Sequence, residues 1–158
     1  MSAATQILSP ADLLAHWQGH RALTRRIIEA FPDDQFNTFS IGGMRTFGEL
    51  ALELLMMDEP MIAGVVTGEW KTFEWPGPRP TRIEMLAAWD EATASMNALW
   101  PRISDERFQE TVVAFGQYEG KVINSFLYVI DNQVHHRGQG YVYLRALGVE
   151  PAPFYVRE

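Results

Sequence analysis

The sequence predicts an all-α fold, a four-helix bundle. Four apolar-periodic segments of about 20 residues each carry their own start and stop signals. Only one short stretch has strand character. The 158 residues, 47% hydrophobic and 21% charged, suit a single domain spanning residues 1–158 around one core.

Helix one begins at Ser9-Pro10-Ala11-Asp12, where Ser9 is the N-cap and Pro10 takes the first helical position, which needs no N–H. Leu13, Leu14, Trp17, Leu23, Ile27 and Ile28 continue at near-helical spacing until Pro32 stops the pattern. Asp33 to Arg45, with Gly42-Gly43, reads as a loop. Thr46 then caps helix two with Glu49 three residues on, a capping-box spacing, and Phe47, Leu50, Leu54, Met57, Met61 and Val65 form its buried stripe. Pro60 lies inside that run and is expected to kink or divide it. Between Gly68 and Pro80, Trp70, Phe73 and Trp75 stand among prolines in a loop. Thr81 and Glu84 repeat the capping box for helix three, whose inner face carries Ile83, Leu86, Ala87, Met96 and Leu99, and Pro101 closes it. Thr111 to Phe115, followed by Gly116 and Gly120, reads as a short hairpin before the last long helix, with a helical reading left open. From Lys121 to Leu147 the chain is apolar almost all round, with Gly148 as its stop. On a helical wheel the densest apolar stripe of this fourth helix runs through Ile123, Ile130, Val134 and Tyr141. His136 falls on a flank with Val122, Val129 and Leu147, facing a cleft rather than the bundle axis.

Composition excludes several function classes. A formal charge of -7, with no compensating Lys/Arg cluster, argues against nucleic acid. Zero cysteines exclude disulfides, thiolate metal sites and a cysteine nucleophile, leaving His, Asp, Glu and Asn as ligand types. No apolar run reaches membrane length, and the N-terminus lacks the basic-then-apolar pattern of a leader, so a cytoplasmic protein without membrane attachment is expected. The glycine pairs lack the frame of a phosphate-cradling loop, and no serine sits in a nucleophile elbow.

Candidate chemistry concentrates in Asp131-Asn-Gln-Val-His-His-Arg-Gly-Gln139. Positions four apart share a helix face, so Asn132 pairs with His136 and Asp131 with His135. His136 is the stronger candidate, because an unsatisfied imidazole in so apolar a helix is costly; its structural alternative is a core histidine bonded to a tyrosine or a carbonyl. Glu53 lies beside Leu50 and Met57 rather than among exposed charges, with Asp58 as its rival. A carboxylate facing an imidazole across a bundle is a ligand pair, a proton-transfer pair or a buried ion pair. His16 and His20 have a chelating spacing, but a surface or structural role is the commoner outcome. Trp70, Phe73 and Trp75 read as core packing before pocket lining. Arg137 is expected to pair with a carboxylate, and Gly138 to permit close helix packing.

Met44-Arg-Thr-Phe-Gly-Glu-Leu-Ala-Leu-Glu53 resembles the second-helix segment of the DinB-like (DinB/YfiT) family. His135-His-Arg-Gly-Gln139 and Tyr143-Leu-Arg-Ala-Leu-Gly148 resemble its fourth helix, and the order and spacing of all four helices agree. The resemblance implies a DinB/YfiT-type bundle that forms homodimers. It further implies a metal held by three histidines, one on helix two and two on helix four, at positions that here are Glu53, Asn132 and His136. Members with the full triad include enzymes using small thiols, such as bacillithiol transferases and mycothiol-dependent isomerases. One expectation is therefore a metal-dependent hydrolase or small-thiol-dependent transferase with a degenerate metal site, in which zinc, nickel or manganese is held by Glu53, Asn132 and His136 and Glu53 and His136 are catalytic. The alternative is a metal-free, stress-associated small-molecule-binding or scaffold protein with Glu53 and His136 as a buried pair. A metal-free acid-base enzyme using that pair is a third reading.

Overall fold

The computed structural model describes residues 7–157, so the N-terminal residues on which the leader reading rests lie outside it. Four helices make the bundle: α1 (Pro10–Ala30), α2 (Phe47–Thr67), α3 (Arg82–Leu99) and α4 (Val122–Ala146). Packing runs in the cyclic order α1, α3, α2, α4, which leaves α1 and α2 on a diagonal. Short 3-10 turns at Trp100–Arg102 and Glu106–Gln109 lead from α3 to an antiparallel hairpin, β1 (Thr111–Ala114) and β2 (Tyr118–Lys121). No helix among the described residues is long and apolar enough to cross a membrane.

The predicted caps form as read. Ser9 accepts the Asp12 N–H, and both Thr46 and Thr81 build reciprocal boxes with Glu49 and Glu84. Pro60 does not divide α2, which continues unbroken to Thr67. The proline removes one N–H from the helix ladder, and the turns on either side carry the helix through. In the hairpin, Phe115 and Gly116 both take positive φ in the three-residue turn that joins the Ala114–Tyr118 pair. Phe115 is held there by packing on Trp70, ring centroids 5.3 Å apart.

The core falls into two apolar halves. One gathers Leu13, Trp17, Ile62, Trp100, Phe126 and Val129; the other gathers Ile27, Phe31, Phe47, Leu54, Trp89 and Tyr143. Between them, at mid-height on α1, α2 and α4, lies a belt of buried polar side chains: His20, Arg21, Thr24, Asp58, Gln133 and Arg137. Arg21 forms an ion pair with Asp58, donates to the Trp89 carbonyl at 3.1 Å and lies over the Trp89 ring. Gln133 donates to Thr24 Oγ1 at 2.9 Å. Hydrogen bonding within the belt offsets part of the desolvation its members incur, leaving Asp58 Oδ1 and Gln133 Oε1 buried without partners among the described residues, and it fixes the rotational setting of three helices at once.

The fourth helix turns differently from the wheel's suggestion. Val122 and Val129 are fully buried and His136 nearly so, while Val134, on the densest apolar stripe, is 41% exposed. The flank faces inward because α1 and α2 straddle it. Gly138 is also corrected: it is exposed, and a Cβ there would meet nothing. Close approach occurs one half-turn on, at Gly140, where the Phe47 ring fills the space of a side chain.

Candidate functional site

Asn132 and His136 sit one turn apart on α4 and face Glu53 on α2, so the three residues singled out from the sequence do converge. Glu53 Oε1 accepts from His136 Nε2 at 2.9 Å and from Asn132 Nδ2 at 3.2 Å. Its other oxygen, Oε2, accepts from the Arg45 guanidinium. Arg45 is the member that sequence reasoning missed. It belongs to the loop before α2, and its backbone is anchored where the Tyr143 hydroxyl donates to the Arg45 carbonyl at 2.9 Å. Its one sequence signal is an arginine eight residues ahead of a half-buried glutamate, too weak a pattern to stand alone.

Electrostatics make Glu53 a firmly ionised carboxylate. Burial alone would raise its pKa, but hydrogen bonds from Arg45, His136 and Asn132 outweigh that and hold it at about 2. An ionised carboxylate only accepts, so His136 carries its proton on Nε2 and Asn132 turns its amide nitrogen, not its oxygen, toward the site. The Asn132 amide also reaches Met57 Sδ at 3.4 Å. His136 Nδ1 is buried without a hydrogen-bond partner. The Glu53 side chain is 32% exposed against 5% for His136, so the cluster opens to solvent through the glutamate.

This donor set fits a divalent metal poorly. A ligating histidine ordinarily presents one bare nitrogen to the ion and anchors the other by a hydrogen bond to a carboxylate, a carbonyl or water. Here Nε2 is spent on Glu53, and Nδ1 is buried and unanchored. Asn132 offers nitrogen where a hard ion needs oxygen, and the Glu53 charge is already balanced by Arg45. Among the described residues, no group of three His, Cys, Asp or Glu side chains is placed to share an ion. Acid-base use of His136 is disfavoured by the same geometry, since Nε2 is occupied and Nδ1 is shut away from solvent.

The other candidates lie elsewhere. Asp131 and His135 are exposed and unpaired with each other; the His135 ring contacts Gln139 at 2.9 Å. Asp58 sits deep in the belt against Arg21, and burial pushes its carboxyl up to about 6 despite that partner. His16 is exposed, whereas His20 is buried in the belt. Their Nε2 atoms lie 3.2 Å apart. Burial, then Arg137 and Arg157, lowers the His20 pKa to about 4 and keeps the ring neutral. Arg137 meets no carboxylate among the described residues; it donates to the His20 carbonyl, to Thr24 Oγ1 and to His20 Nδ1. Trp70 packs with Phe115 on one half of the core and Trp75 on the other, and the exposed Phe73 packs edge to face on Trp75.

Comparison with known proteins gives one consistent result. The model of the DinB family matches residues 1–158. No curated protein matches. A crystal structure of a DinB-like protein from Bacillus subtilis superposes with a TM-score of 0.75 at 16% identity, covering 92% of this chain and 99% of that one. A DinB-like protein from Bacillus cereus does so with a TM-score of 0.75 at 19% identity, covering 92% and 97%. At these identities the likeness is one of fold.

Proposed function

The chain belongs to the DinB family, and from that premise we propose that it is a metal-free member in which an internal charge cluster occupies the position of the metal, making it a small-molecule-binding protein rather than a metal-dependent hydrolase or thiol transferase. One observation carries this reading: both oxygens of Glu53 are engaged by protein donors, Arg45 on one side and His136 with Asn132 on the other. A metal entering here has to displace the guanidinium, strip the Nε2 proton and turn the Asn132 amide. Each step opposes binding, and no third strong donor repays them.

A second reading keeps the metal, favoured by one distance. His136 Nε2 and Glu53 Oε1 are 2.9 Å apart, close to the ~3 Å separating adjacent ligands of an octahedral ion with bonds of about 2.1 Å. Zinc, nickel or manganese are the ions in question. Elemental mass spectrometry on protein purified without a histidine tag or chelator decides between the two, together with thermal melts in each added ion. The metal-free reading expects far less than one ion per chain and unchanged melting. Near-stoichiometric metal that is lost in His136→Ala would overturn it.

The family resemblance also leads us to propose a homodimer. Leu127, Tyr128 and Val142 on the outer face of α4 are 40%, 62% and 58% exposed and supply an apolar strip for pairing. Sedimentation equilibrium of the wild type beside Tyr128→Glu tests it, with dissociation expected in the variant.

A further inference from the structure

On the side of α4 away from α2, the C-terminal segment folds back and leaves a cleft of about 550 Å³. Two bonds strap the segment down: the Tyr141 hydroxyl donates to the Ala152 carbonyl at 2.7 Å, and the Arg26 guanidinium donates to the Val156 carbonyl. Arg137 lines the interior of the cleft, Arg145 its rim, and Tyr141, Phe154 and Tyr155 supply apolar surface. Glu150 is the one carboxylate among the lining residues, and it is exposed and forms no ion pair among the described residues.

Arg137 is the anomaly. It is 5% exposed, yet no carboxylate pairs with it among the described residues. Its neighbours add positive charge rather than cancel it: Arg157 reaches the other nitrogen of His20 at 3.2 Å, and both burial and Arg157 lower the Arg137 pKa, to about 10. Buried guanidinium groups are ordinarily paired, because the desolvated charge is costly alone. Three protein acceptors use only part of its donor fork. In a chain of net charge -7, this corner holds Arg26, Arg137, Arg145 and Arg157, none of them ion-paired among the described residues.

We propose that this cleft binds a small organic carboxylate with an aromatic or branched apolar body. Its charge is taken by Arg137 and Arg145, and its body packs on Tyr141, Phe154 and Tyr155. The site is independent of the Glu53 cluster and stands whether or not a metal binds there.

The test titrates phenylacetate and its neutral analogue phenylacetamide into the full-length protein and follows backbone amide shifts by NMR. Phenylacetate is expected to move the amides of Gly138, Tyr141 and Ala152 saturably, and phenylacetamide to bind about tenfold or more weakly, as loss of a charge-assisted hydrogen bond predicts. Arg145→Gln, at an exposed position, is expected to leave the fold intact and weaken phenylacetate about threefold. Equal binding of the two probes would refute a carboxylate site. So would shifts mapping away from α4 and the C-terminal segment, or no saturable shift at all, as when a second copy of the chain fills the cleft.

Discussion

Replacing Glu53 by glutamine tests the charge cluster directly, because the variant keeps the shape and removes the charge. The fall of the Glu53 pKa from 4.5 to about 2, at ~1.4 kcal/mol per tenfold change in proton affinity, corresponds to at most ~3–4 kcal/mol of pH-linked stability. The side chain is 32% exposed and Arg45 49% exposed, so solvent screening reduces this to ~1–2 kcal/mol. The sign follows from the direction of the shift. A folded-state pKa below the unfolded one means the stabilisation is fully present above pH 4.5 and drains away as pH falls toward 2. Urea unfolding of wild type and Glu53→Gln across that range should show a gap of ~1–2 kcal/mol at neutral pH that closes in acid. Adding a chelator should leave the gap unchanged. A gap that persists in acid, or none at neutral pH, would refute the reasoning, since the hydrogen bonds would then merely offset the cost of burying the carboxylate.

Two further pairs of variants probe the bundle around the site. Gly140→Ala drives a methyl into the buried Phe47 ring and should cost ~1–3 kcal/mol, whereas Gly138→Ala, whose new Cβ meets nothing, should be neutral or stabilise by up to ~1 kcal/mol; thermal melts separate the two, and equal effects would contradict the packing of α4 on α2. Asp58→Ala strands Arg21 in the belt and should cost ~3–5 kcal/mol by chemical denaturation, while Arg21→Met combined with Asp58→Leu should recover most of it.

Local signals carried much of the fold. A cap is written within four residues, so Ser9, Thr46 and Thr81 announced three helix starts and the structure begins its helices there. The hairpin was visible only in part, because the strand-like run followed by glycine also left a helical reading open, which the structure resolves in favour of the hairpin. The site was legible in pieces: spacing paired Asn132 with His136, Glu53 stood out beside Leu50 and Met57, and the resemblance joined the three across 79 residues. Arg45 was not legible. A long side chain from a loop chooses its partner by where the loop is anchored, and that anchor is a tyrosine at the far end of α4.

Taken alone, the sequence determined the number of helices and where they begin and end. Which face of α4 turns inward was decided by tertiary structure. A wheel counts apolar residues, but burial depends on the neighbours available, and the flank carrying Val122, Val129 and His136 meets α1 and α2 while Val134 looks outward. Tertiary structure likewise decided the polar belt, the partner of Asp58, and the unpaired state of Arg137, for each depends on side chains far apart in sequence. Charge compensation is a property of the space between helices, and no one segment encodes it.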